Sequence, residues 1–264
     1  MKHRPRKRFG QNFLHDQGVI GRLVATIAPR PGETFIEIGP GHGALTRPLL
    51  ATGAAVTAIE IDRDLAAELR DALGATPGFT LVEADALKAD LGAVAGGGPF
   101  RLVGNLPYNI STPLLFHALT WRAAITDMHF MLQKEVVDRM AAAPGGKTYG
   151  RLSVMCQFAC RVEPLFPVRP GAFTPPPAVE SRIVRLVPHA QAPADPGDEG
   201  ALDDIVRQAF SMRRKTLQNS LRGLLDADAI RSAGIDPGER PERLGLEAFA
   251  ALARALHHER AAGG

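Results

Sequence analysis

Five short apolar runs, at residues 34–38, 55–59, 79–83, 100–104 and 128–132, are each the length of a strand and end at turn or polar residues, so each predicts a β-strand. Helical spacing of apolar positions alternates with them. It appears at 44–50, at 112–119 with Pro113 in the first turn, and from 134 to 140, where Pro144-Gly145-Gly146 soon breaks it. Two further strands are expected at 161–166 and 181–187. The pattern predicts a seven-stranded, mostly parallel α/β sheet with helices on both faces. Positions 189–200, rich in Pro, Ala, Asp and Gly, have no apolar period and predict a linker. Beyond them only helical patterns remain, at 202–210, 217–225 and 246–256. The expected organisation is a sheet domain over 1–188, a linker over 189–200 and a small all-α domain over 201–264.

The polar residues that carry chemistry stand at the ends of the predicted strands. The first strand runs into Gly39-Pro40-Gly41-His42-Gly43 and then a helical start. Glycines there let the backbone approach a ligand, and the helix N-terminus offers free N–H groups. The next strand ends at Glu60, about 20 residues on, where an acidic side chain accepts from ribose hydroxyls in such folds. The third runs into Asp85, which can accept from the amino group of a cofactor's adenine. The fourth ends at Asn105-Leu106-Pro107-Tyr108, followed by Asn109. Ligands of open α/β sheets bind at the carboxyl ends of strands, so Gly39, Glu60, Asp85 and Asn105 converge on one crevice that fits a nucleotide cofactor.

The Asn105 segment matches one demanding reaction. An exocyclic adenine nitrogen is a poor nucleophile because its lone pair is delocalised into the ring. If the Asn105 side-chain oxygen and the Leu106 carbonyl accept hydrogen bonds from that amino group, the nitrogen is drawn toward tetrahedral geometry and its lone pair faces an electrophile. Pro107 fixes the backbone so that the two acceptors converge, and Tyr108 offers a flat face to a flipped-out base. Two other readings compete. The four residues alone fit a Pro-bearing loop with a buried Tyr. Gly39, Gly41 and Ala44 fit the dinucleotide fingerprint of an NAD-dependent dehydrogenase, although the fourth strand end carries an amide and an aromatic where a dehydrogenase needs a proton donor.

Composition narrows the class further. At 264 residues and 45% hydrophobic, the chain is long enough for one large core and a satellite domain. Net charge is only +3, but Lys2, Arg4, Arg6, Lys7 and Arg8 cluster at the start, and Arg207, Arg213, Arg214, Lys215 and Arg222 cluster later. Phosphate contacts dominate nucleic-acid affinity, so such clusters bind RNA despite the modest total. A solvated tail or helix face is the competing reading. No apolar run approaches the ~20 residues of a membrane helix, and the first residues lack the apolar core of a signal peptide, so a cytoplasmic protein without membrane contact is expected. Cys156 and Cys160 fall one helical turn apart and too few ligands accompany them for a metal site; buried reduced thiols are expected.

Four segments resemble a known family. Phe9-Gly10-Gln11-Asn12-Phe13-Leu14, Glu37-Ile38-Gly39-Pro40-Gly41-His42-Gly43-Ala44-Leu45-Thr46, Asn105-Leu106-Pro107-Tyr108-Asn109 and Phe173-Thr174-Pro175-Pro176-Pro177-Ala178-Val179-Glu180-Ser181 are similar to the motifs of the ribosomal RNA adenine dimethyltransferases, and of their bacterial small-subunit branch above all. They run in order along nearly the whole chain. The resemblance implies a Rossmann-like class I methyltransferase sheet, S-adenosylmethionine as donor, and N6,N6-dimethylation of two adjacent adenosines in the 3′-terminal hairpin of 16S rRNA, within a small-subunit assembly intermediate. It implies cofactor contacts for Asn12, Leu14, Gly39, Glu60, Asp85 and Asn105, a catalytic role for Asn105, Leu106, Pro107 and Tyr108, and a sandwich of the target base between Tyr108 and Phe173. His42 stands where many relatives carry an aliphatic or small residue. Arg213, Arg214 and Lys215 are expected to meet RNA, no metal is expected, and a monomer is favoured. Three alternatives stay open: a DNA adenine methyltransferase, against which the 9–14 segment and helical tail argue; a resistance-type 23S rRNA adenine N6-methyltransferase, which the segment 210–217 argues against; and a non-enzymatic ribosome-assembly factor that retains a cofactor site.

Overall fold

The computed structural model describes residues 11–212 and 214–262. The basic residues from Lys2 to Arg8, together with Phe9, Gly10 and Arg213, lie outside the described residues.

In chain order the strands are β1 (Phe13–Leu14), β2 (Thr34–Ile38), β3 (Ala55–Glu60), β4 (Phe79–Glu83), β5 (Phe100–Asn105), β6 (Ile125–Gln133), β7 (Cys160–Val168), β8 (Phe173–Thr174) and β9 (Ser181–Pro188). Seven of them form one sheet in the order β4-β3-β2-β5-β6-β9-β7, and β1 pairs with β8 in a separate antiparallel ribbon. The pairs from β4 to β6 are parallel and β9 runs antiparallel to β6, which is the mixed sheet that the apolar pattern predicts. Phe35, Ile36 and Ile38 of β2 are all buried, as a central parallel strand covered on both faces requires. From β2 the chain builds outward through β3 and β4, then returns with β5 to the other side of β2. The strand order therefore reverses between β2 and β5, where open α/β sheets bind ligands.

Helices α1 (Gln17–Ile27), α2 (Thr46–Leu50), α3 (Arg63–Leu73), α4 (Leu91–Val94) and α5 (Ser111–Thr120) belong to this part of the chain. Aspartate side chains cap the starts of α1, α3 and α4. Asp16 accepts from the Val19 amide at 3.0 Å to open α1, and Asp62 accepts from the Asp64 amide at 3.1 Å to open α3. Leu65, Leu69 and Leu73 then bury one stripe of α3. At the end of β5 opposite Asn105, Arg101 donates to both Asp127 oxygens at 2.7 and 3.0 Å, to Glu33 at 2.9 Å and to the Ile27 carbonyl at 2.7 Å. Removing one partner from such a cluster strands a buried charge, so the cluster fixes Arg101 opposite Asp127, where the β5–β6 register shifts after Phe100.

The chain divides into two compact units: the first runs to Val137 and includes Glu163–Pro188, while the second comprises Asp138–Val162 and the chain from His189. The boundary expected at residue 188 is thus one of three crossings, and α7, with Tyr149 ahead of it, packs with the helices that follow residue 188. The cause is apolar packing. After α6 (Lys134–Met140), α7 (Arg151–Ala159) buries Val154 and Phe158, with Tyr149 just ahead of it, in one cluster with Leu202, Ile205, Leu217 and Phe249. The Tyr149 hydroxyl donates to the Leu244 carbonyl at 2.9 Å. The remaining helices of this unit are α8 (Glu199–Ser211), α9 (Leu217–Ser220), α10 (Ala227–Ser232) and α11 (Leu246–Ala262). The expected linker is shorter than 189–200, because Asp198 caps α8 by accepting from the Ala201 amide at 2.7 Å. The helix expected over 217–225 is cut short; Gly223 adopts φ +91° and Asp226 then caps α10. Both cysteines are buried thiols, but Cys156 sits on α7 while Cys160 opens β7; burial pushes the Cys156 thiol up. Among the described residues no helix is long and apolar enough to cross a membrane.

Candidate active site

A cavity of about 230 Å³ opens at the carboxyl ends of β2, β3, β4 and β5. Gly39, Glu60, Asp85 and Asn105 all line it, so the four strand ends do meet. Asn12, Leu14, Leu106, Pro107 and Tyr108 line it as well.

The floor is the glycine loop after β2. Gly39 and Gly41 adopt φ +65° and +57°, the left-handed region that L side chains avoid. A Cβ on Gly39 would project into open space of the cavity, and one on Gly41 would lie 2.9 Å from the Phe13 ring. The loop is fastened to β3: the Gly39 amide donates to the Ile59 carbonyl at 3.0 Å and the Gly41 amide to Glu60 Oε2 at 3.4 Å. Glu60 Oε1 accepts from the Asp62 amide at 2.9 Å, which fixes the buried carboxylate at the strand end. Burial raises the Glu60 pKa above the ordinary carboxylate value, with the Asp62 and Gly41 amides opposing. Glu37, on β2, is more deeply enclosed and accepts from Thr46 Oγ1 at 2.6 Å. Burial pushes its pKa up to about 7, against the Thr46 hydrogen bond and with the Glu60 charge adding. Asp85 Oδ1 accepts from the Leu87 amide at 3.0 Å.

Residues 11–14 run along the same cavity. Gln11 Nε2 donates to Asp62 Oδ2 at 3.0 Å, and β1 pairs with β8 through Leu14 and Phe173. The Phe13 ring lies 4.4 Å from the His42 ring, and His42 Nδ1 is 2.8 Å from Glu68 Oε1. His42 thus joins the loop to α3 on one side and to Phe13 on the other.

Asn105 Nδ2 donates to the Asn12 carbonyl at 2.8 Å. A backbone carbonyl can only accept, so the orientation of the amide is determined: nitrogen toward Asn12, and Oδ1 left to accept from another donor. The Leu106 amide donates to the Met131 carbonyl at 3.1 Å, which pins the loop to the end of β6. Tyr108 follows, its ring on the cavity and its hydroxyl 2.6 Å from Ser181 Oγ. Burial raises the Tyr108 pKa, with the Ser181 hydrogen bond opposing, so the phenol stays neutral at physiological pH.

Phe173, Arg214 and Lys215 do not line this cavity. Phe173 is only 2% exposed and packs in the apolar cluster with Phe35, Val103, Met131 and Ile183; its side chain does not line the cavity. Its ring fills the core while its backbone anchors Leu14. Arg214 and Lys215 are exposed in the turn between α8 and α9, in the second unit. Three residues in the site were given no role in the sequence. Glu37 had a signal, a carboxylate inside the apolar run Thr34-Phe35-Ile36-Glu37-Ile38, since such groups are rarely buried without a partner. Ser181 closes the family-like segment 173–181, and Gly104 had no signal. A Cβ on Gly104 would lie 2.6 Å from the Ile38 carbonyl oxygen, so only glycine lets the end of β5 lie against the end of β2.

Comparison with known proteins agrees with this geometry. The profile of the family described as ribosomal RNA adenine dimethylase matches residues 2–256. Ribosomal RNA small subunit methyltransferase A of Hahella chejuensis is 58% identical over 252 residues, 95% of this chain and 92% of the relative. The protein of the same name from Pseudomonas aeruginosa is 55% identical over 256 residues, 97% and 96% of the two chains. Among solved structures, a dimethyladenosine transferase from Plasmodium falciparum superposes with a TM-score of 0.76 at 25% identity, over 91% of this chain and 95% of that one. The 23S rRNA methyltransferase ErmE gives 0.70 at 29% identity, over 93% and 100%. A strand-end cavity with a left-handed glycine loop, an oriented asparagine and a profile match over nearly its whole length place the chain in the ribosomal RNA adenine dimethylase family.

Proposed function

We propose that this chain transfers two methyl groups from S-adenosylmethionine to N6 of adenosine in small-subunit ribosomal RNA, the targets being the two adjacent adenosines of the 3′-terminal hairpin in an assembling particle. The observation that carries the reading is the Asn105–Asn12 hydrogen bond, which leaves Asn105 Oδ1 as an acceptor for a substrate amino group. The residues present fit the donor. The open space over Gly39 admits a ligand against the backbone, Glu60 supplies a fixed acceptor for ribose hydroxyls, and Asp85 stands at the next strand end to accept from an adenine amino group. When bound, S-adenosylmethionine supplies a methyl group on a sulfonium that is already a good leaving group.

The protein's task is then positioning and polarisation. Asn105 Oδ1 and the Leu106 carbonyl draw the N6 hydrogens out of the plane of the base, and the lone pair turns toward the donor side of the crevice. Tyr108 stacks on the extruded base. The nitrogen becomes acidic only after attack, so its proton passes to solvent and no side chain serves as general base.

Removing a preorganised acceptor of this kind costs on the order of 3 kcal/mol in the transition state, so Asn105→Ala should lower turnover roughly 100-fold or more. Turnover within a few-fold of wild type in a folded variant would refute the polarisation reading. The similarity to ErmE keeps a large-subunit target as the second reading. The small-subunit target is favoured by the names of the relatives at 55% identity and above. Mapping dimethylated adenosines in both rRNAs of cells with and without the protein decides between them.

A further inference from the structure

We infer that Ser181 is a positioning residue that sets the width of the target-base site, and thereby governs addition of the second methyl group. The inference rests on the reading that Tyr108 stacks on the adenine. Ser181 is the first residue of β9, its side chain is fully buried, and it pairs with Gln133 of β6. The neighbouring Glu180 carbonyl accepts from the Lys134 amide at 2.9 Å. Its hydroxyl is therefore a fixed point on the sheet, and it shares the 2.6 Å hydrogen bond with the Tyr108 hydroxyl.

The direction of that bond matters. Tyr108 leaves the loop after β5, whereas Ser181 stands on β9 with β6 between them. The tyrosine ring is thus drawn over the end of β6, away from β2, β3 and β4, where Gly39, Glu60 and Asp85 stand. Pro107 restrains one end of the residue and Ser181 the other, so the ring is the far wall of the crevice, fastened back. In each round the N6 nitrogen forms a bond to the methyl carbon as the C–S bond of the donor breaks, and one proton then leaves for solvent. The second round must admit a nitrogen that already carries a methyl group. A ring released from Ser181 settles inward, because close packing favours filling the space beside it. An unsubstituted amino group tolerates that movement better than a methylated one.

The test is single-turnover methylation of unmodified small-subunit particles, with mono- and dimethyladenosine resolved by mass spectrometry after digestion. Ser181→Ala and Tyr108→Phe should each slow the second transfer roughly tenfold relative to the first, the scale of a sub-ångström misplacement, so that monomethyladenosine accumulates. The double variant should match either single one, since one hydrogen bond is lost in all three. Calorimetric titration with S-adenosylmethionine, whose proposed contacts lie elsewhere, verifies folding; if Ser181→Ala does not fold, Tyr108→Phe carries the same test. Wild-type product ratios in the folded variants, or additive losses in the double variant, would overturn the inference. Tyr108→Ala separates the two levels: full activity there removes the stacking reading itself, whereas its inactivity beside a wild-type product ratio in Ser181→Ala removes only the role of Ser181.

Discussion

Substituting alanine at Gly104 tests whether the crevice depends on the close approach of β5 to β2. The new Cβ would lie 2.6 Å from the Ile38 carbonyl oxygen and 3.0 Å from Leu106 Cδ2. The leucine methyl can move, but the carbonyl belongs to β2, whose other edge is paired with β3 through Ile38 and Ile59. Ordinary contact begins near 3.4 Å, so the ends of the two strands must part by about 0.8 Å. Overpacking of this kind costs about 2 kcal/mol, which lowers the melting temperature of a chain of this size by about 4–8 °C. The functional loss should be larger than the stability loss implies. The displacement falls between Gly39 and Asn105, and misplacing a reacting group by nearly 1 Å costs roughly 100-fold in rate. Affinity for S-adenosylmethionine should fall far less, because Gly39, Glu60 and Asp85 all lie on the β2 side of the gap. Differential scanning calorimetry, isothermal titration and single-turnover methylation measure the three quantities. A Gly104→Ala variant that melts with wild type and methylates within threefold of it would show that the strands part freely here, and the spacing argument would fail.

Two buried titrating groups should oppose each other. Glu37, raised by burial to about 7, binds its proton more tightly folded than unfolded, so its contribution to stability falls as pH rises from about 4.5 to 7; His129, lowered by burial to about 4, does the reverse between about 4 and 6.5. Across pH 4.5–6.5 thermal melts of Glu37→Gln should therefore gain stability with rising pH relative to wild type and those of His129→Phe should lose it, and parallel curves for the two variants would refute the pairing. Glu60→Ala removes an acceptor used in ground and transition states alike, so donor affinity should fall roughly 10- to 100-fold while turnover at saturation changes little; an equal loss in turnover would place Glu60 in the chemistry. Neutralising Arg214 and Lys215 together with Arg213 should flatten the salt dependence of binding to small-subunit particles by up to about one unit of slope per lost phosphate contact. Identical slopes would assign docking to another surface.

The strands that build the crevice were legible because each is a short apolar run ending in a polar or glycine-rich signal. Gly39, Glu60, Asp85 and Asn105 could be placed together because parallel strands bring their carboxyl ends to one side of a sheet. What stayed hidden is what period and punctuation do not encode. β1 and β8 are two residues each and show no alternation. Gly104 is not in a left-handed conformation; its need for glycine arises from a carbonyl on another strand. Phe173 stands in a motif expected at the target base, but an aromatic in an apolar neighbourhood also fills a core, and spacing does not show that its ring packs with Phe35 and Ile183. The helix expected over 217–225 kept its apolar spacing in the sequence but not in the structure, because Gly223 and the Asp226 cap override the period. Nor does spacing state which core an apolar stripe joins, which is why α7 was grouped with the sheet.

That last assignment has a consequence for how the chain is made. Every strand of the sheet has been synthesised once Pro188 is reached, and early-made units commonly fold before the remainder appears. By then Tyr149, Val154 and Phe158 have also been made, yet the residues that bury them, from Ala201 to Leu256, do not exist. The nascent chain must carry an orphaned greasy helix through the last quarter of its translation. A chain cut near Asp198 retains the residues that line the crevice but leaves these three side chains facing water, so the price of a minimal catalytic fragment is a permanent sticky patch.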